Sequence, residues 1–311
     1  MHLHSARTVS VLLRLKQQFG ESIEPADRQV LGAAEAVAAL DAAGIRRGVV
    51  LSGAYLLGTP DIVVADERRM VADENAWTAK QAARYPARLV GFCSVNPLKD
   101  YAENEVGHCA AIGLRGLKLH FTNSAVDLTN ADHVARVRRV LQAANRLRLP
   151  LLIHLRTRAG DYGEREANVF LDRLLPAAAD VPVVLAHMGG WGGYDKATDT
   201  ALATMAGACA AVPGPCRRLF FDLAYTVLPK EAANAPARTP LRLLADAQRN
   251  FPDANARLAD RIRAIGLDRV LFATDWPGMT PADTAAAVRG SLPLRPAEIE
   301  TIFANTAPFL R

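Results

Sequence analysis

Short, almost continuously apolar runs alternate with longer segments of helical periodicity along this 311-residue sequence. Such runs predict β-strands that are covered on both faces, as the strands of a parallel sheet are. Regular alternation of strand and helix favours right-handed crossovers and a single parallel sheet. The seven predicted strands are Gly48–Ser52, Arg88–Val95, Leu114–Phe121, Leu149–His154, Val181–His187, Arg218–Ala224 and Arg269–Thr274.

The segments between these strands predict helices, several of which end at a residue that disfavours helix. Gly44 and Gly113 follow two of them, and Pro86 follows a third. Two other stretches, Gly53–Ala65 and Tyr225–Asp253, predict long loops of the kind that form the substrate pocket of a barrel. The predicted helices are Ala33–Ala43, Asp66–Arg84, Tyr101–Ile112, Ala131–Leu147, Ala167–Ala179, Thr198–Ala211, Ala254–Ile265, Pro281–Val288 and Pro296–Phe303.

The pattern predicts an α/β protein with one (β/α)₈ TIM barrel spanning residues 1–311 as a single domain. Barrels of about 250 residues commonly fold as one unit, and 50% hydrophobic residues suffice for a large core. The end of the eighth strand is expected at His2-Leu3-His4. Strands usually run about 5–6 residues, so this strand is expected to be truncated at the N-terminus, with its remainder encoded upstream, or to be unusually short.

Composition excludes several classes of function. The net charge is +5, but no basic run is also aromatic, so nucleic-acid binding is not expected. The apolar runs are too short for a membrane span, and a cytoplasmic protein is expected. Four cysteines without a C-x-x-C pair argue against structural zinc and favour reduced, buried thiols, although Cys209 and Cys216 flank a turn that could bridge them. The expected partners are a small-molecule substrate and, as an open alternative, a second copy of the chain in a homodimer.

Polar side chains close most of the predicted strands. Burying such groups without partners costs several kcal/mol, roughly, and the carboxyl ends of barrel strands are where active sites assemble. One histidine at a strand end is commonly a hydrogen-bonded core residue, but a series on successive strands indicates a site. These residues are Lys118, His120, His154, His187, Asp222 and Asp275.

The H-x-H sequence at His2 and His4 predicts a metal site. Side chains alternate along a strand, so both imidazoles face the same way and can reach one ion. His154 and Asp275 are the candidates for the third and fourth ligands. Imidazole and carboxylate ligands suit one Zn²⁺ ion, and also Mn²⁺, Fe²⁺ or Co²⁺. A tag remnant or a disordered end is the alternative interpretation of a terminal H-x-H.

Further short sequences follow one another along nearly the whole chain. Together with H-x-H they resemble the amidohydrolase superfamily, in particular the branch of aminocarboxymuconate-semialdehyde decarboxylase-like enzymes. They identify the family and not the substrate. The sequences are Tyr85-Pro-Ala-Arg-Leu-Val-Gly-Phe92, Val95-Asn-Pro97, Gly113-Leu-Arg-Gly-Leu-Lys-Leu-His120, Pro150-Leu-Leu-Ile-His154, Ala186-His-Met-Gly-Gly190, Ala273-Thr-Asp-Trp-Pro277 and Asn305-Thr306.

The resemblance implies roles for the polar residues. His187 corresponds to a catalytic histidine beside the metal, and Asp275 is implied both as ligand and as proton acceptor. Lys118 stands where other branches carry a carbamylated lysine, but in this branch it is usually unmodified, which favours one metal ion over two. Asp222 is expected to be structural, and His120 either supports the site or packs. The implied metal ligands are His2, His4, His154 and Asp275.

The expected activity is hydrolysis of a small, carboxylate-bearing substrate by a metal-activated water. A metal-dependent non-oxidative decarboxylase on the same site is the first alternative, and a non-catalytic barrel with vestigial ligands is the second. Arg156, two residues after His154, is expected either to bind a substrate carboxylate or to form a surface salt bridge. Lys118, His120 and Trp276 are further candidates for substrate binding.

Overall fold

A computed structural model describes residues 1–211, 213–229, 232, 234, 235, 237 and 239–310. Within these ranges seven parallel strands form one sheet in sequential order, β1 to β7. The sheet curls so that the carboxyl ends of all strands share one face. The register sets His120, at the end of β3, beside His154, at the end of β4. The strands are β1 Gly48–Leu51, β2 Leu89–Ser94, β3 Leu117–His120, β4 Leu151–His154, β5 Val183–Leu185, β6 Leu219–Asp222 and β7 Val270–Leu271.

Helices cover the outer face of the sheet and bury apolar side chains against it. The amphipathic helix Ala131–Arg146, for example, buries Val134, Val137 and Leu141, and Asn130 caps it by accepting from the backbone N–H groups of the first turn. The helices are α1 Ala6–Phe19, α2 Ala33–Ala42, α3 Ala54–Leu57, α4 Glu67–Ala83, α5 Ala102–Ala111, α6 Ala131–Arg146, α7 Glu164–Val169, α8 Lys196–Ala211, α9 Pro213–Cys216, α10 Pro240–Arg249, α11 Ala254–Ile265, α12 Pro281–Ser291 and α13 Pro296–Ala304.

All seven predicted strands are confirmed, each shorter than its apolar run. The helix predicted over Ala167–Ala179 is wrong as one element: α7 ends at Val169, and a π turn and a 3₁₀ turn follow. Pro176 accounts for the change to the 3₁₀ turn, because it has no N–H to donate to the carbonyl of Asp172 four residues earlier. The long loop predicted at Tyr225–Asp253 contains α10, and α1 was not predicted.

The eighth strand of a closed barrel is not formed within the described residues. Instead, the first residues bridge the two edges of the sheet. Leu51 N–H donates to Met1 O at 2.9 Å and Leu3 N–H donates to Leu51 O at 3.1 Å, while His2 N–H donates to Trp276 O at 2.7 Å. These bonds hold the H-x-H segment between β1 and the segment after β7, at the carboxyl ends of the strands.

The cysteines differ from expectation in one pair. Cys209 and Cys216 form a disulfide, so the prediction of reduced thiols is wrong for them. Cys209 lies on α8 and Cys216 ends α9, and their Cα atoms are 5.4 Å apart, within the range that a disulfide spans. Cys93 and Cys109 are free and buried, as expected. No described helix has the length and apolar character that crossing a membrane requires.

Candidate active site

Five ring side chains form a continuous row across the carboxyl ends of the strands. The centroids of His2 and Tyr55 lie 6.0 Å apart, and those of Tyr55 and His120 lie 4.9 Å apart, with the latter two rings stacked. His120 stacks on His154 at 3.9 Å, and His154 meets His187 edge-on at 5.2 Å. The fold therefore brings together four of the predicted site histidines, and His4 lies 6.5 Å from His2 between ring centroids.

Asp275 faces His2 at one end of this row. His2 Nε2 lies 3.1 Å from Asp275 Oδ1, and the Asp275 side chain is one-third exposed, at 33%. Burial acts to raise the pKa of Asp275, but the hydrogen bond with His2 and the positive charge of Lys118 hold that pKa well below its usual range. Asp275 is therefore an ionised carboxylate at neutral pH.

Two hydrogen bonds fix His187 at the other end. Its backbone N–H donates to Asp222 Oδ1 at 2.9 Å, and the same oxygen accepts from Ala224 N–H at 3.1 Å. The ring Nδ1 lies 2.6 Å from the carbonyl oxygen of Ala224. A carbonyl only accepts, so Nδ1 carries a proton and donates it to Ala224, which leaves Nε2 as the ring nitrogen without this contact. Asp222 thus positions His187, which agrees with the structural role expected for it.

Several non-glycine residues after the strands have left-handed backbone conformations. His187 and Met188 each have φ 55°, Tyr225 has φ 54° and Asp275 has φ 56°. L-residues rarely adopt this region, and such strain concentrates where a site dictates the direction of a side chain. These four positions follow β5, β6 and β7, and the other non-glycine residues with positive φ in the described part of the chain, Asp66, Ala125, Arg148 and Asp253, lie elsewhere.

The histidines suit a divalent cation because burial keeps them neutral. Burial lowers the pKa of His4 to about 4 and lowers the pKa values of His2 and His154. Neutral imidazole is the form that binds metal. The Nδ1 atoms of His4 and His154 are buried and have no hydrogen-bond partner, which leaves two nitrogen atoms for which an ion would be the partner.

Distances test the same fit. Ligand bonds of roughly 2.0–2.2 Å place two ligand atoms of one ion about 3–3.5 Å apart, and the 3.1 Å between His2 Nε2 and Asp275 Oδ1 agrees. Across the described part of the chain, however, no group of three His, Cys, Asp or Glu side chains already converges on one point. The donor chemistry therefore fits a metal ion, and the imidazole rings must rotate to enclose it.

Lys118 supplies a cation beside these residues. Its side chain is 2% exposed, and its Nζ makes no hydrogen bond or ion pair with any described residue. Burial lowers its pKa to about 8, while the charges of Asp275 and Asp222 act in the opposite direction. Lys118 is therefore mainly protonated at neutral pH, and burying its ammonium without a partner is costly.

The two remaining candidates lie at the margins of the row. Arg156 pairs with Asp195 at 3.4 Å, is partly buried, and lies over the ring of Tyr162 at 4.6 Å from its centroid. Trp276 is buried in an apolar cluster with Leu3 and neighbours from α2 and β1. A substrate contact by either residue stays a prediction.

Sequence reasoning missed two tyrosines of the site. Tyr55 is buried between His2 and His120, and burial and the charge of Asp275 raise the pKa of Tyr225 to about 12. Tyr55 is the third residue of the predicted loop Gly53–Ala65, and Tyr225 is the first residue of the predicted loop Tyr225–Asp253. An aromatic residue near the start of a long loop after a strand was thus the available signal.

Comparisons with known proteins agree with this architecture. A family model described as Amidohydrolase matches residues 1–308. The structure is similar to 5-carboxyvanillate decarboxylase from Sphingomonas paucimobilis, with 17% identity, coverage of 98% of this chain and 95% of that chain, and a TM-score of 0.63. No curated protein sequence gives a significant match.

Two further solved structures are similar over nearly the whole chain. Dihydroxybenzoic acid decarboxylase from Polaromonas sp. JS666, which holds manganese and the inhibitor 2-nitroresorcinol, shares 16% identity, with 99% of this chain and 94% of that chain covered and a TM-score of 0.62. The structure of 2,6-dihydroxybenzoate decarboxylase from Rhizobium shares 15% identity, with 97% of this chain and 94% of that chain covered and a TM-score of 0.59. At such low sequence identities the structural likeness establishes the fold alone. The family model establishes membership, because it matches the sequence over residues 1–308. The chain therefore belongs to the amidohydrolase family, within the superfamily that its motifs predicted.

Proposed function

We propose that this protein is a metal-dependent carboxy-lyase that removes CO₂ from a carboxylated aromatic substrate. The observation that carries the proposal is the unpartnered, buried ammonium of Lys118 beside the ionised carboxylate of Asp275. A substrate carboxylate would pair with the ammonium of Lys118, and the carboxylate of Asp275 would accept and release the proton that the reaction moves. This combination favours the decarboxylase alternative over the hydrolase expected from sequence.

The structural neighbours support the same choice. The three described above are decarboxylases of carboxylated or hydroxylated benzoic acids, and one of them holds manganese. We propose one divalent cation here, Mn²⁺ or Zn²⁺, held by His2, His4, His154 and Asp275. When bound, such an ion supplies positive charge that polarises substrate oxygens.

The chain's own residues then account for the proton. Loss of CO₂ from an aromatic ring breaks the bond between the ring carbon and the carboxylate, and a proton takes the place of CO₂ on that carbon. Asp275 accepts the proton of a substrate hydroxyl and returns it to the ring carbon. Lys118 holds the carboxylate through the approach to the transition state, and Nε2 of His187 accepts a hydrogen bond from the substrate or from water. The net reaction consumes one proton and one carboxylate and releases one CO₂.

The test is CO₂ release by the manganese-loaded protein from 2,6-dihydroxybenzoate and 5-carboxyvanillate. Aryl esters, lactones and amides form the comparison panel for hydrolysis. Turnover of a carboxylated phenol that stops on chelation, and that Lys118→Met reduces, is the expected result. Turnover of the hydrolysis panel alone would favour the hydrolase. No turnover in either panel, with metal bound, would favour the non-catalytic barrel.

A further inference from the structure

Arg156 follows β4 and contacts Asp195, which lies in the segment between β5 and α8. It follows His154 by two residues, and its guanidinium lies over the ring of Tyr162. Tyr162 in turn donates its hydroxyl to the carbonyl of Gly189, two residues after His187. Arg156 is therefore anchored between the two strands that carry His154 and His187.

The ion pair of Arg156 is loose by comparison with its neighbour. Nη1 of Arg156 lies 3.4 Å from each Asp195 oxygen, so both contacts are long. Two residues further on, Arg158 binds Asp61 through two bonds of 2.8 and 2.5 Å. Charge-assisted bonds are usually about 2.7–2.9 Å long. Arg158 therefore has a complete partner within the protein, whereas Arg156 does not.

Asp195 has partners that do not depend on Arg156. Its Oδ1 accepts from the backbone N–H of Thr198 at 2.8 Å and from the hydroxyl of Thr198 at 2.6 Å. These bonds cap the start of α8, and a carboxylate is stabilised at a helix N-terminus. Asp195 can thus lose its contact with Arg156 and keep its place at the cap.

We infer that Arg156 exchanges Asp195 for a second anionic group of the substrate, so that the site selects aromatic acids with two anionic groups. This inference rests on the proposed function and names its substrate class. Lys118 binds the carboxylate that is lost, and Arg156 binds the one that stays. Asp195 pairs with Arg156 when no substrate is present. Its negative charge repels any substrate anion that is not paired with Arg156.

Calorimetric titration of the manganese-loaded protein with benzene-1,3-dicarboxylate and with benzoate tests the exchange. The dicarboxylate is expected to bind about 10- to 100-fold more tightly, the range for a hydrogen-bonded charge pair. Arg156→Met removes this preference, and Arg156→Lys retains part of it. Arg158→Met is the matched control and leaves the preference unchanged.

The direction in which Asp195→Asn changes the preference for the dicarboxylate over benzoate is the decisive result. Asparagine caps helices as well as aspartate does, so the melting temperature stays unchanged. The loss of competition for Arg156 should increase the preference for the dicarboxylate roughly threefold to tenfold. An equal or smaller preference in Asp195→Asn, or none in the wild type, overturns the exchange. These titrations measure binding and do not depend on turnover. The expected binding preferences without CO₂ release would overturn the proposed carboxy-lyase activity alone. CO₂ release without these preferences would overturn the exchange at Arg156 alone.

Discussion

The backbone N–H of His187 donates to Asp222 Oδ1 at 2.9 Å, which ties the end of β5 to the end of β6 at the candidate catalytic residue. The same oxygen receives Ala224 N–H, and the Ala224 carbonyl receives the His187 ring. The Asp222 carboxylate thus holds the backbone of His187 and of Ala224, and the Ala224 carbonyl in turn orients the His187 ring. The first prediction follows from this arrangement.

Asp222→Ala should lower both stability and activity, because it leaves the buried N–H groups of His187 and Ala224 without an acceptor. An unsatisfied buried donor costs about 1–3 kcal/mol. Urea denaturation should therefore show a loss of at least about 1 kcal/mol in the free energy of unfolding. Asp222→Asn keeps an acceptor oxygen and should lose far less. Equal stability of Asp222→Ala and wild type would show that Asp222 does not hold this segment.

His154→Ala and His187→Asn should separate metal binding from catalysis. His154 has a buried, unpartnered ring nitrogen and is a proposed ligand, so its variant should lose most bound metal. His187 is anchored to Ala224 and is not a proposed ligand. Its variant should keep the metal and lose about 10²–10⁴ in rate, the usual effect of a positioned acid–base group. Metal analysis and kcat measured on both variants check this, and loss of metal from His187→Asn would place His187 among the ligands.

Asp275→Asn should abolish turnover. The ionised carboxylate that His2 contacts becomes a neutral amide, which cannot accept and return a proton. Metal content and kcat should be measured on the same sample. If metal remains bound in this variant, the loss of kcat is due to the lost carboxylate and not to loss of the metal. A variant with metal bound and more than about one-tenth of wild-type kcat would exclude Asp275 as the proton carrier, since a positioned group contributes at least 10²-fold.

Glu298 predicts an acid-sensitive contribution to stability away from the site. Hydrogen bonds from Arg263 and Arg295 hold its pKa well below the usual value of 4.5. A depressed pKa in the folded state stabilises the protein above the unfolded value and loses that effect as the pH falls toward the folded value. The difference in unfolding free energy between wild type and Glu298→Gln should therefore be constant above about pH 6 and decline below 4.5. A difference that does not change between pH 7 and pH 3 would contradict this linkage.

Apolar runs were enough to predict the seven strands, because parallel strands buried on both faces leave a continuous signal. They also predicted that His120, His154, His187 and Asp275 lie together, since strand ends meet at one face. Helix α1 was not predicted, although Ser5 and Gly20 cap it, because it begins directly after the H-x-H sequence, which was expected to end a strand.

Other features depend on tertiary geometry that one sequence does not encode locally. The left-handed conformations of His187 and Asp275 belong to residues that rarely adopt them. The disulfide between Cys209 and Cys216 was only the alternative expectation, because four cysteines in a chain of this length favour reduced thiols. The hydrogen bonds that join the first residues to β1 and to Trp276 are likewise not predicted by any periodicity.

The reaction of a carboxylated phenol in D₂O with the manganese-loaded protein tests the proposed decarboxylation directly. We expect one CO₂ for each molecule turned over and, by NMR, one deuterium on the ring carbon that carried the carboxylate. Both signals should disappear in Asp275→Asn. Product formation without CO₂, with oxygen from labelled water in a new acid or alcohol, would contradict the decarboxylase and restore the hydrolase.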